Sequence, residues 1–491
     1  GSRVYGPSSD GNSVIRGPFA QEMALEHAEA LHALIVAHCE HLGIASHVLE
    51  QVSEELGSKS KYAEGSMLYQ LYAFCVDGSV TIPVCSLAGT LCTIGATTAS
   101  LVKMLKVEIC NQLSIPVREQ KLVFRGQSMI DEEVLATYNL TPLDASLTMV
   151  RVQPPKLYVV GGRGGIGMEE ALASVEVLDT ADGTWERSPP MASPRHNFAL
   201  EVMQNKLYAV GGHDDNGALS SAEAFDPMDD EAGWQPMAPM MNARLNFASA
   251  VVDDKLYVFG GDNGEEAMGS CEVFDPGIGR WEWLPPMPTA RFYTASAVMG
   301  SKVYVTGGDN DEEALACCEV FDTLTHTWQT LSPMATPRFG HRMEILHDKL
   351  VCVGGFDGAK GLAEAEIFDP ASREWACILP MWTVRTRASS CVCDSKLYLC
   401  GGFDGHEALV SSEVYDQDIG AWIPLPEMKS TRLDAALASA DGKMYMLGGD
   451  TGESDEALSS AEAFDPVIAE WKDLPAMGTP RRSAAVAVVT L

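Results

Sequence analysis

Short runs in which apolar and polar residues alternate recur throughout residues 156–491. One copy reads KLYVFGG, then SCEVFDP, then RWEWLPPMPTAR, then FYTASAVM. Such alternation predicts short β-strands, and Gly-Gly, Asp-Pro and Pro-Met are turn signals that bound them. Four strands of this kind predict a small antiparallel sheet. Because so small a sheet cannot bury its own faces, it must pack against other sheets.

The four-strand unit repeats seven times in phase. Each copy has one glycine doublet, beginning at Gly161, Gly211, Gly260, Gly307, Gly354, Gly401 and Gly448. A tryptophan follows each doublet, at Trp185, Trp234, Trp281, Trp328, Trp375, Trp422 and Trp471, so that successive tryptophans are 47 or 49 residues apart. Sheets that repeat with so constant a period bury their faces by stacking radially. The pattern predicts a mainly β protein with a seven-bladed β-propeller over residues 156–491.

The two ends of the repeat array are complementary. The first doublet is preceded by a single strand, residues 156–160, whereas each later doublet has an additional arginine-led strand before it. A surplus strand, residues 482–491, stands at the far end. We therefore expect the C-terminal strand to become the inner strand of the first blade and to close the ring.

The repeat resembles the kelch repeat, with its tyrosine before the doublet, its glutamate three residues before an aspartate, and its tryptophan six or eight residues after that aspartate. In kelch substrate receptors the residues just after the doublet and at the entry of the inner strand line the ligand pocket. The resemblance implies a partner-binding mouth formed by Arg163, His213, Asp262, Asp309, Phe356, Phe403 and Asp450 after the doublets, and by His196, Leu245, Phe292, Phe339, Thr386, Leu433 and Arg482 at the strand entries.

Residues that occur in all seven copies at one offset are expected to be architectural. Glu–Arg links within or between blades, with methionine as a gap filler, are the expected roles. These positions are Glu176, Glu223, Glu272, Glu319, Glu366, Glu413 and Glu462; Arg195, Arg244, Arg291, Arg338, Arg385, Arg432 and Arg481; and Met191, Met240, Met287, Met334, Met381, Met428 and Met477.

The net charge of −34 argues against a nucleic-acid or anionic-membrane partner. Of this charge, −17 lies in the seven segments that run from a doublet to the repeated glutamate. Asp309, Asp311, Glu312 and Glu313 belong to one of the two most acidic segments. Loops between strands 2 and 3 share a face with the links between blades, so we expect an acidic mouth that binds a basic protein segment. The alternative is that these acidic residues serve only to keep the protein soluble. The seven repeated arginines would offset part of the negative electrostatic field of the mouth if they were exposed.

Residues 80–152 show a different order of elements: a strand and turn, an amphipathic helix, and two further strands. The helix pattern places apolar residues at Leu101, Met104, Leu105, Ile109 and Leu113. The segments LAG at 87–89, QKLVFRG at 120–126 and YNL at 138–140 resemble ubiquitin, which implies a ubiquitin-like β-grasp domain.

The ubiquitin-like resemblance also implies a shallow apolar patch for recognition. The matching positions are Leu87, Val123 and Val150, whose alternative role is as core residues of their strands. A terminal Gly-Gly tail is absent because the chain runs through Gln153-Pro154-Pro155 into the first propeller strand. The module is therefore not expected to be a conjugated modifier.

The N-terminal part divides into a disordered segment at 1–17, a helical segment at 18–57 and a linker at 58–79. His38 and His41 share a helix face, but without cysteine or carboxylate partners in step they are interpreted as solvated or core residues. The BTB and BACK domains with which kelch ligase receptors hold a cullin are not recognisable in residues 1–79. Because the chain begins at Gly1-Ser2-Arg3, a targeting segment upstream is compatible with the sequence.

Catalytic chemistry has little support in the sequence. The copper-radical oxidases among kelch propellers need two histidines and two tyrosines on the axis, and no fitting tyrosine–cysteine pair stands out. We assign no catalytic residues, metal ligands or cofactors. Thirteen cysteines without CxxC pairs and the lack of a membrane-length apolar run favour a cytoplasmic or nuclear protein. We expect an adaptor whose propeller binds a protein and whose ubiquitin-like domain docks a proteasome or ubiquitin-ligase component. A structural or cytoskeletal scaffold is the alternative.

Overall fold

The computed structural model describes residues 79–490, with gaps at 87–88, 98, 116, 118–119, 126, 131–132, 139–145, 152–153, 165–169 and 453–456. The chain divides into two compact units, Gly1–Gln153 and Pro154–Leu491. The predictions of disorder at 1–17, helices at 18–57 and a linker at 58–79 concern residues outside the described range, apart from Ser79. Among the described helices, none is long and apolar enough to span a membrane.

The described part of the first unit contains one five-stranded sheet and one α-helix. Its strands are β1 (Ser79–Ser86), β2 (Gly89–Thr97), β3 (Gln120–Phe124), β4 (Gln127–Ser128) and β5 (Leu147–Arg151), with α1 (Val102–Leu113) and a 3-10 helix (Leu135–Tyr138). The sheet order is β2-β1-β5-β3-β4, and β1 and β5 are parallel. This is the β-grasp arrangement that the sequence predicted.

Helix α1 packs on one face of this sheet through Val102, Leu105 and Ile109, which follow helical spacing and are buried. The buried side chain of Gln120 joins the helix to β3, because its amide donates to the carbonyl oxygens of Lys106 and Ile115. Met104, one of the apolar residues at helical spacing, is 59% exposed. It lies outside the buried i, i+3, i+7 stripe that starts at Val102.

The second unit consists of seven four-stranded antiparallel sheets, as predicted, with a short two-stranded ribbon in the first. Blade 1 contains β6 (Lys156–Val160), β9 (Val175–Asp179) and β10 (Trp185–Ser188), with the ribbon β7 (Arg163–Gly164) and β8 (Glu170–Ala171). Blade 2 contains β11 (Ala199–Met203), β12 (Lys206–Val210), β13 (Ala222–Phe225) and β14 (Gln235–Pro236), with a 3-10 helix at Asp230–Ala232. Blade 3 contains β15 (Ala248–Val252), β16 (Lys255–Phe259), β17 (Cys271–Asp275) and β18 (Arg280–Leu284).

The other four blades repeat this order. Blade 4 contains β19 (Ala295–Met299), β20 (Lys302–Thr306), β21 (Cys318–Asp322) and β22 (Thr327–Leu331). Blade 5 contains β23 (Arg342–Leu346), β24 (Lys349–Val353), β25 (Ala365–Asp369) and β26 (Glu374–Ile378). Blade 6 contains β27 (Ser389–Cys393), β28 (Lys396–Cys400), β29 (Ser412–Asp416) and β30 (Ala421–Pro424). Blade 7 contains β31 (Ala436–Ala440), β32 (Lys443–Leu447), β33 (Ala461–Asp465) and β34 (Glu470–Leu474).

The ring is closed by the last strand, β35 (Ala485–Val489), which pairs with β6 and is the inner strand of blade 1. The inner strands of consecutive blades contact one another in turn, and β35 contacts those of blades 2 and 7. The sequence prediction of a propeller closed by its C-terminal strand is confirmed.

Each glycine doublet allows two segments of backbone to approach closely. In blade 3, Gly260 and Gly261 have φ of 62° and 90°, which is the left-handed region that glycine adopts without strain. A Cβ on Gly260 would lie 2.6 Å from the carbonyl oxygen of Arg291, and one on Gly261 would lie 2.6 Å from that of Leu245. The doublet therefore holds the segment that enters the inner strand against the end of strand 2.

The repeated arginines and glutamates form seven buried ion pairs, with N···O distances of 2.7–3.0 Å and side chains at most 4% exposed. In blade 2, Arg195 also donates to the carbonyl oxygen of Gly211, and Glu223 accepts from the amides of Ala192 and Ser193. The seven methionines are also buried. The predicted architectural roles agree with these contacts, and burial removes the arginines from the field at the mouth.

Candidate functional site

The two predicted sets of mouth residues lie side by side on one face of the propeller. In every blade the residue after the buried arginine forms an antiparallel bridge with the residue after the glycine doublet. These bridges join Arg163 to Arg482, His196 to His213, Leu245 to Asp262, Phe292 to Asp309, Phe339 to Phe356, Thr386 to Phe403 and Leu433 to Asp450. The sequence argument placed both sets on one face, and this geometry agrees with it.

The residue directly after each strand-entry position has a left-handed backbone conformation, and together these seven residues form a ring. Its members have φ between 49° and 59° and are Asn197, Asn246, Tyr293, Gly340, Arg387, Asp434 and Ser483. Between neighbouring blades, five amides of this ring donate to the carbonyl of the preceding member. The sequence analysis missed these residues. Asn, Asp and Gly recur at this position of the repeat and tolerate positive φ. Their recurrence could have indicated a left-handed backbone position in the sequence.

A cavity of about 790 Å³ opens at this ring, and all seven ring residues line it. Of the predicted mouth residues, its wall includes Arg163, His196, Phe339, Phe356, Thr386 and Arg482. The remaining bridge partners do not line this cavity, and they are His213, Leu245, Asp262, Phe292, Asp309, Phe403, Leu433 and Asp450. The predicted mouth is thus divided into residues that line the cavity and residues that do not.

Charge is also divided, between the rim of the mouth and its centre. Asp311, Glu312 and Glu313 are exposed at the tip of a blade 4 loop. Among the described residues of the cavity wall, by contrast, there are four arginines and a single carboxylate, Asp434. The acidic rim thus stays a prediction that this exposed loop supports, whereas the cavity wall is not acidic, because charge counted along a loop does not reveal its depth.

Some loop carboxylates have structural roles. Oδ1 of Asp357 accepts hydrogen bonds from the amides of Ala359 and Lys360, and these bonds lower the pKa of Asp357. Asp404 forms the same turn. In addition, Oδ2 of Asp311 accepts a 2.6 Å hydrogen bond from the amide of Ala267 in the neighbouring blade. Part of the acidic charge therefore shapes the loops and cannot be assigned to ligand selection.

Three of the four cavity arginines have an aspartate partner. Arg387 pairs with Asp434, Arg482 pairs with Asp450, and Nη2 of Arg163 lies 3.5 Å from Oδ1 of Asp215. These pairs neutralise much of the positive charge at the blade 1 and blade 6 sides of the ring.

Arg342 is different, because no carboxylate of the described residues lies within 4.0 Å of its guanidinium. Its Nε donates to the carbonyl oxygen of Ala388 at 2.6 Å. Arg342 is exposed at the cavity, although the surrounding protein partly desolvates its guanidinium and lowers its pKa, while Asp434 and Glu344 act in the opposite direction. The other six blades have alanine or serine at this strand position: Ala199, Ala248, Ala295, Ser389, Ala436 and Ala485. Arg342 is therefore not required by the repeat.

A second cavity of about 390 Å³ shares Arg342 with the first and is lined by small and polar residues of the inner strands. Glu344 lies there and accepts a 2.7 Å hydrogen bond from Ser390, and burial raises the pKa of Glu344. Arg342 thus lies between two cavities. The wall of the first is rich in arginine, and the second is lined by serines and contains the carboxylate of Glu344.

Aromatic rings form part of the wall on the side of blades 4 and 5. The ring centroids of Tyr293 and Phe339 are 6.3 Å apart, and those of Phe339 and Phe356 are 5.6 Å apart. Tyr293 is 42% exposed despite its size. Amphipathic aromatic surface beside a guanidinium is typical of sites that bind protein segments.

In the ubiquitin-like domain, the structure places Val123 and Val150 on the face of the sheet opposite the core. Their cross-strand partners are Thr148 and Lys121, whereas the buried pair Leu122 and Met149 between them faces the helix. Val150 is 46% exposed. Leu87, the third predicted patch residue, lies outside the described residues.

Comparison with known proteins agrees with this architecture. A kelch-motif model matches residues 150–192, 194–241, 385–429 and 431–478, and the model of the KLHDC2/KLHL20/DRC7 kelch-repeats domain matches residues 233–384. Kelch-like protein 8 from Mus musculus is 40% identical over 84 residues, which are 16% of this chain and 13% of that protein. Kelch repeat and BTB domain-containing protein 13 from Homo sapiens is 35% identical over 99 residues, or 20% of this chain and 21% of that protein.

The ubiquitin-like part has a match of its own. Ubiquitin-like protein 4A from Rattus norvegicus is 36% identical over 61 residues, covering 12% of this chain and 39% of that protein. The matched segments thus span well under half the length of these curated relatives. The solved structure described as "Structure of YjhT" is 16% identical, covers 59% of this chain and 99% of its own, and has a TM-score of 0.48. Taken together, the seven blades and the two kelch models, which run almost without a break from residue 150 to residue 478, show that the chain belongs to the kelch-repeat proteins.

Proposed function

We propose that this protein is a non-enzymatic adaptor that binds one protein partner at the mouth of its propeller and a ubiquitin-pathway receptor, such as a proteasome subunit or a ubiquitin ligase, through its ubiquitin-like domain. The observation that carries the first half is Arg342. Arg342 is exposed and has no carboxylate partner within 4.0 Å among the described residues, so its guanidinium is available to form two parallel hydrogen bonds with a ligand carboxylate.

The surroundings of Arg342 support a segment of polypeptide as the ligand. A cavity of about 790 Å³ is in the range of pockets that enclose a compact ligand, here a few residues of a chain. Aromatic rings on one side offer apolar contact area, and exposed acidic residues such as Glu312 and Glu313 surround the opening. The polypeptide segment that best fits this site carries a carboxylate that reaches Arg342 and basic residues that contact the acidic rim. The expectation of a basic partner is therefore kept for the part of the ligand that contacts the rim.

The second half of the proposal rests on the half-buried Val123 and the exposed Val150 of the ubiquitin-like sheet, and on the names of the relatives. Two matched relatives have BTB or F-box in their names beside kelch, and a third is named a ubiquitin-like protein. A structural or cytoskeletal scaffold remains the second candidate, since a ubiquitin-like module can serve as a plain protein-binding domain. A copper-radical oxidase has less support, because the histidines at the mouth neighbour Asp215 rather than a tyrosine pair.

For the propeller, we expect Arg342→Gln to weaken binding of carboxylate-bearing peptides by about 1.5–3 kcal/mol, or roughly 10- to 100-fold, because hydrogen bonds to the charged group are lost. The full-length protein is screened against a peptide array in which each peptide appears with and without its carboxylates. Arg280→Gln, on an exposed outer strand, is the matched control and should bind as the unmodified protein does. Glu312→Lys/Glu313→Lys should mainly flatten the salt dependence. Binding that ignores both carboxylate removal and Arg342→Gln would contradict the proposal.

For the ubiquitin-like domain, we expect Val123→Glu/Val150→Glu to reduce recovery of proteasome or ubiquitin-ligase components at least tenfold, because two charges would enter the apolar contact. The measurement is affinity purification of the full-length protein with quantitative mass spectrometry. Val107→Glu, which alters a 50% exposed valine on the helix, controls for the added charge. Recovery of none of these components by the unmodified protein would favour the scaffold function instead.

A further inference from the structure

We propose that His196, His213 and Asp215 bind a divalent transition-metal ion, for which Zn²⁺ is the best chemical match, beside the cavity of the propeller. One ring nitrogen of each histidine and one carboxylate oxygen of Asp215 all lie within 4.8 Å of one another. In the part of the chain that the structure describes, this is the only such group of three possible ligands. Two imidazoles and one carboxylate are a common ligand set for zinc.

The backbone of blade 2 sets the positions of the three side chains. His196 and His213 exchange two backbone hydrogen bonds, of 3.1 and 2.9 Å, so their imidazoles emerge together with ring centroids 5.2 Å apart. Oδ2 of Asp215 accepts a 2.5 Å hydrogen bond from the amide of Ala171 in blade 1, while its Oδ1 lies 3.9 Å from Nε2 of His196. The carboxylate is thereby anchored through one oxygen and presents the other to the imidazole.

His196 supplies an independent indication of a ligand. The residue is 8% exposed, and among the described residues its Nε2 has no hydrogen-bond partner. Buried polar atoms in folded proteins almost always have a partner, so an unpartnered one calls for an explanation. Burial, His213 and Arg163 lower the pKa of His196, while Asp215 and a hydrogen bond with the side chain of Asn197 act in the opposite direction.

The other blades show that this set is not needed for the fold. Gly264, Gly358, Gly405 and Gly452 occupy the position of Asp215 in four blades, and all have positive φ. At the two histidine positions the other blades have pairs such as Phe339 and Phe356. The coincidence of two imidazoles and a carboxylate is thus a property of blade 2 alone.

Ligation requires small adjustments and competes with a neighbouring cation. In a tetrahedral zinc site the ligand atoms are roughly 3.3 Å apart, so the side chains must close by on the order of 1 Å. Nδ1 of His213 now accepts a 3.0 Å hydrogen bond from the amide of Asp215. Metal binding through Nδ1 would replace this bond, and metal binding through Nε2 would place the proton on Nδ1 and break it as well. The guanidinium of Arg163, 3.5 Å from Oδ1 of Asp215, repels a divalent ion and must move aside.

Three protein ligands leave a fourth coordination position open on zinc. Because His196 also forms part of the cavity wall, a donor atom of a bound segment could occupy that position. The metal site would then contribute to partner binding at a point different from Arg342. It does not depend on the proposed adaptor function, since metal affinity is a property of the free protein.

The test is isothermal titration of chelator-treated full-length protein with Zn²⁺, with Co²⁺ absorption as a probe of coordination. We expect one site of micromolar or tighter affinity. Substitutions borrowed from other blades, His196→Phe, His213→Phe and Asp215→Gly, should each weaken it at least 30-fold while leaving the circular dichroism and melting temperature near those of the unmodified protein.

Two further variants make the result specific. Arg163→Gln should tighten zinc binding at least threefold, because it removes the competing cation. His347→Gln, which alters an exposed histidine in the turn between β23 and β24 of blade 5, should leave the affinity unchanged. Equal zinc binding by the unmodified protein and by the triple variant His196→Phe/His213→Phe/Asp215→Gly would overturn the proposal, as would the absence of any zinc binding.

Discussion

Deletion of residues 482–491 is expected to abolish the cooperative unfolding of the propeller and to lower its stability by roughly 5 kcal/mol or more, which is comparable to the whole stability of many domains. The deletion removes β35, whose five residues pair one for one with β6 from Ala485–Val160 to Val489–Lys156. It spares Arg481, so the buried ion pair of blade 1 remains.

The large effect follows from the position of β35 in the ring. Ala487 and Val489 are at least 95% buried, and the strand contacts the inner strands of blades 2 and 7. Burial of each large apolar side chain is worth about 1.5–3 kcal/mol, and the loss of β35 also leaves β6 as an exposed edge. Blade 1 would then be the one blade without an inner strand, and the ring would open.

Calorimetry and urea unfolding of the full-length and shortened chains measure this effect. A deletion of residues 490–491 alone is the matched control, because it begins after the last paired residue, Val489. The control should unfold as the complete chain does. A single transition at an unchanged melting temperature after deletion of 482–491 would show that the ring does not need its closing strand.

Closure of the ring could be predicted from the sequence because it depends on a count of strands. A period of 47 or 49 residues identified each blade, and one strand missing before Gly161 matched one surplus strand after Arg481. The buried Arg–Glu pairs could be recognised for a related reason. A residue that recurs at one offset in seven copies has the same environment seven times, so its role is that of the repeat.

The candidate site could be predicted only in part, because its chemistry lies where the copies differ. The bridge positions were found by offset, but Arg342 stands at a strand position that other blades fill with alanine or serine, and no pattern marks it. His196 and His213 are 17 residues apart, and the antiparallel bridge that brings their rings together appears only in the folded blade. The sequence also does not show which loop residues lie deep in the mouth. For that reason an acidic character was predicted for the whole mouth, although the cavity wall carries four arginines.

Arg338→Met is expected to destabilise the propeller by about 3–5 kcal/mol, because it leaves the carboxylate of Glu366 buried without its cation. Nη2 of Arg338 donates to Glu366 at 2.8 Å, and Nη1 donates at 2.9 Å to the carbonyl oxygens of Gly354 and Glu364. Methionine fills similar space but supplies none of these three hydrogen bonds. The measurement is the free energy of unfolding from urea titration at pH 7.

A second ion pair in the same blade provides the control. Lys349 pairs with Asp369 at 3.1 Å, but both side chains are more than one third exposed, so Lys349→Met should cost less than about 1 kcal/mol. Glu366→Gln removes the charge but keeps one acceptor oxygen, which can still accept from the amide of Thr336, while the amide of Ala335 loses its acceptor. If Arg338→Met cost no more than Lys349→Met, the seven buried pairs would not stabilise the ring. A cost near 4 kcal/mol for Arg338→Met and a smaller one for Glu366→Gln would instead show that the uncompensated buried carboxylate is the main penalty.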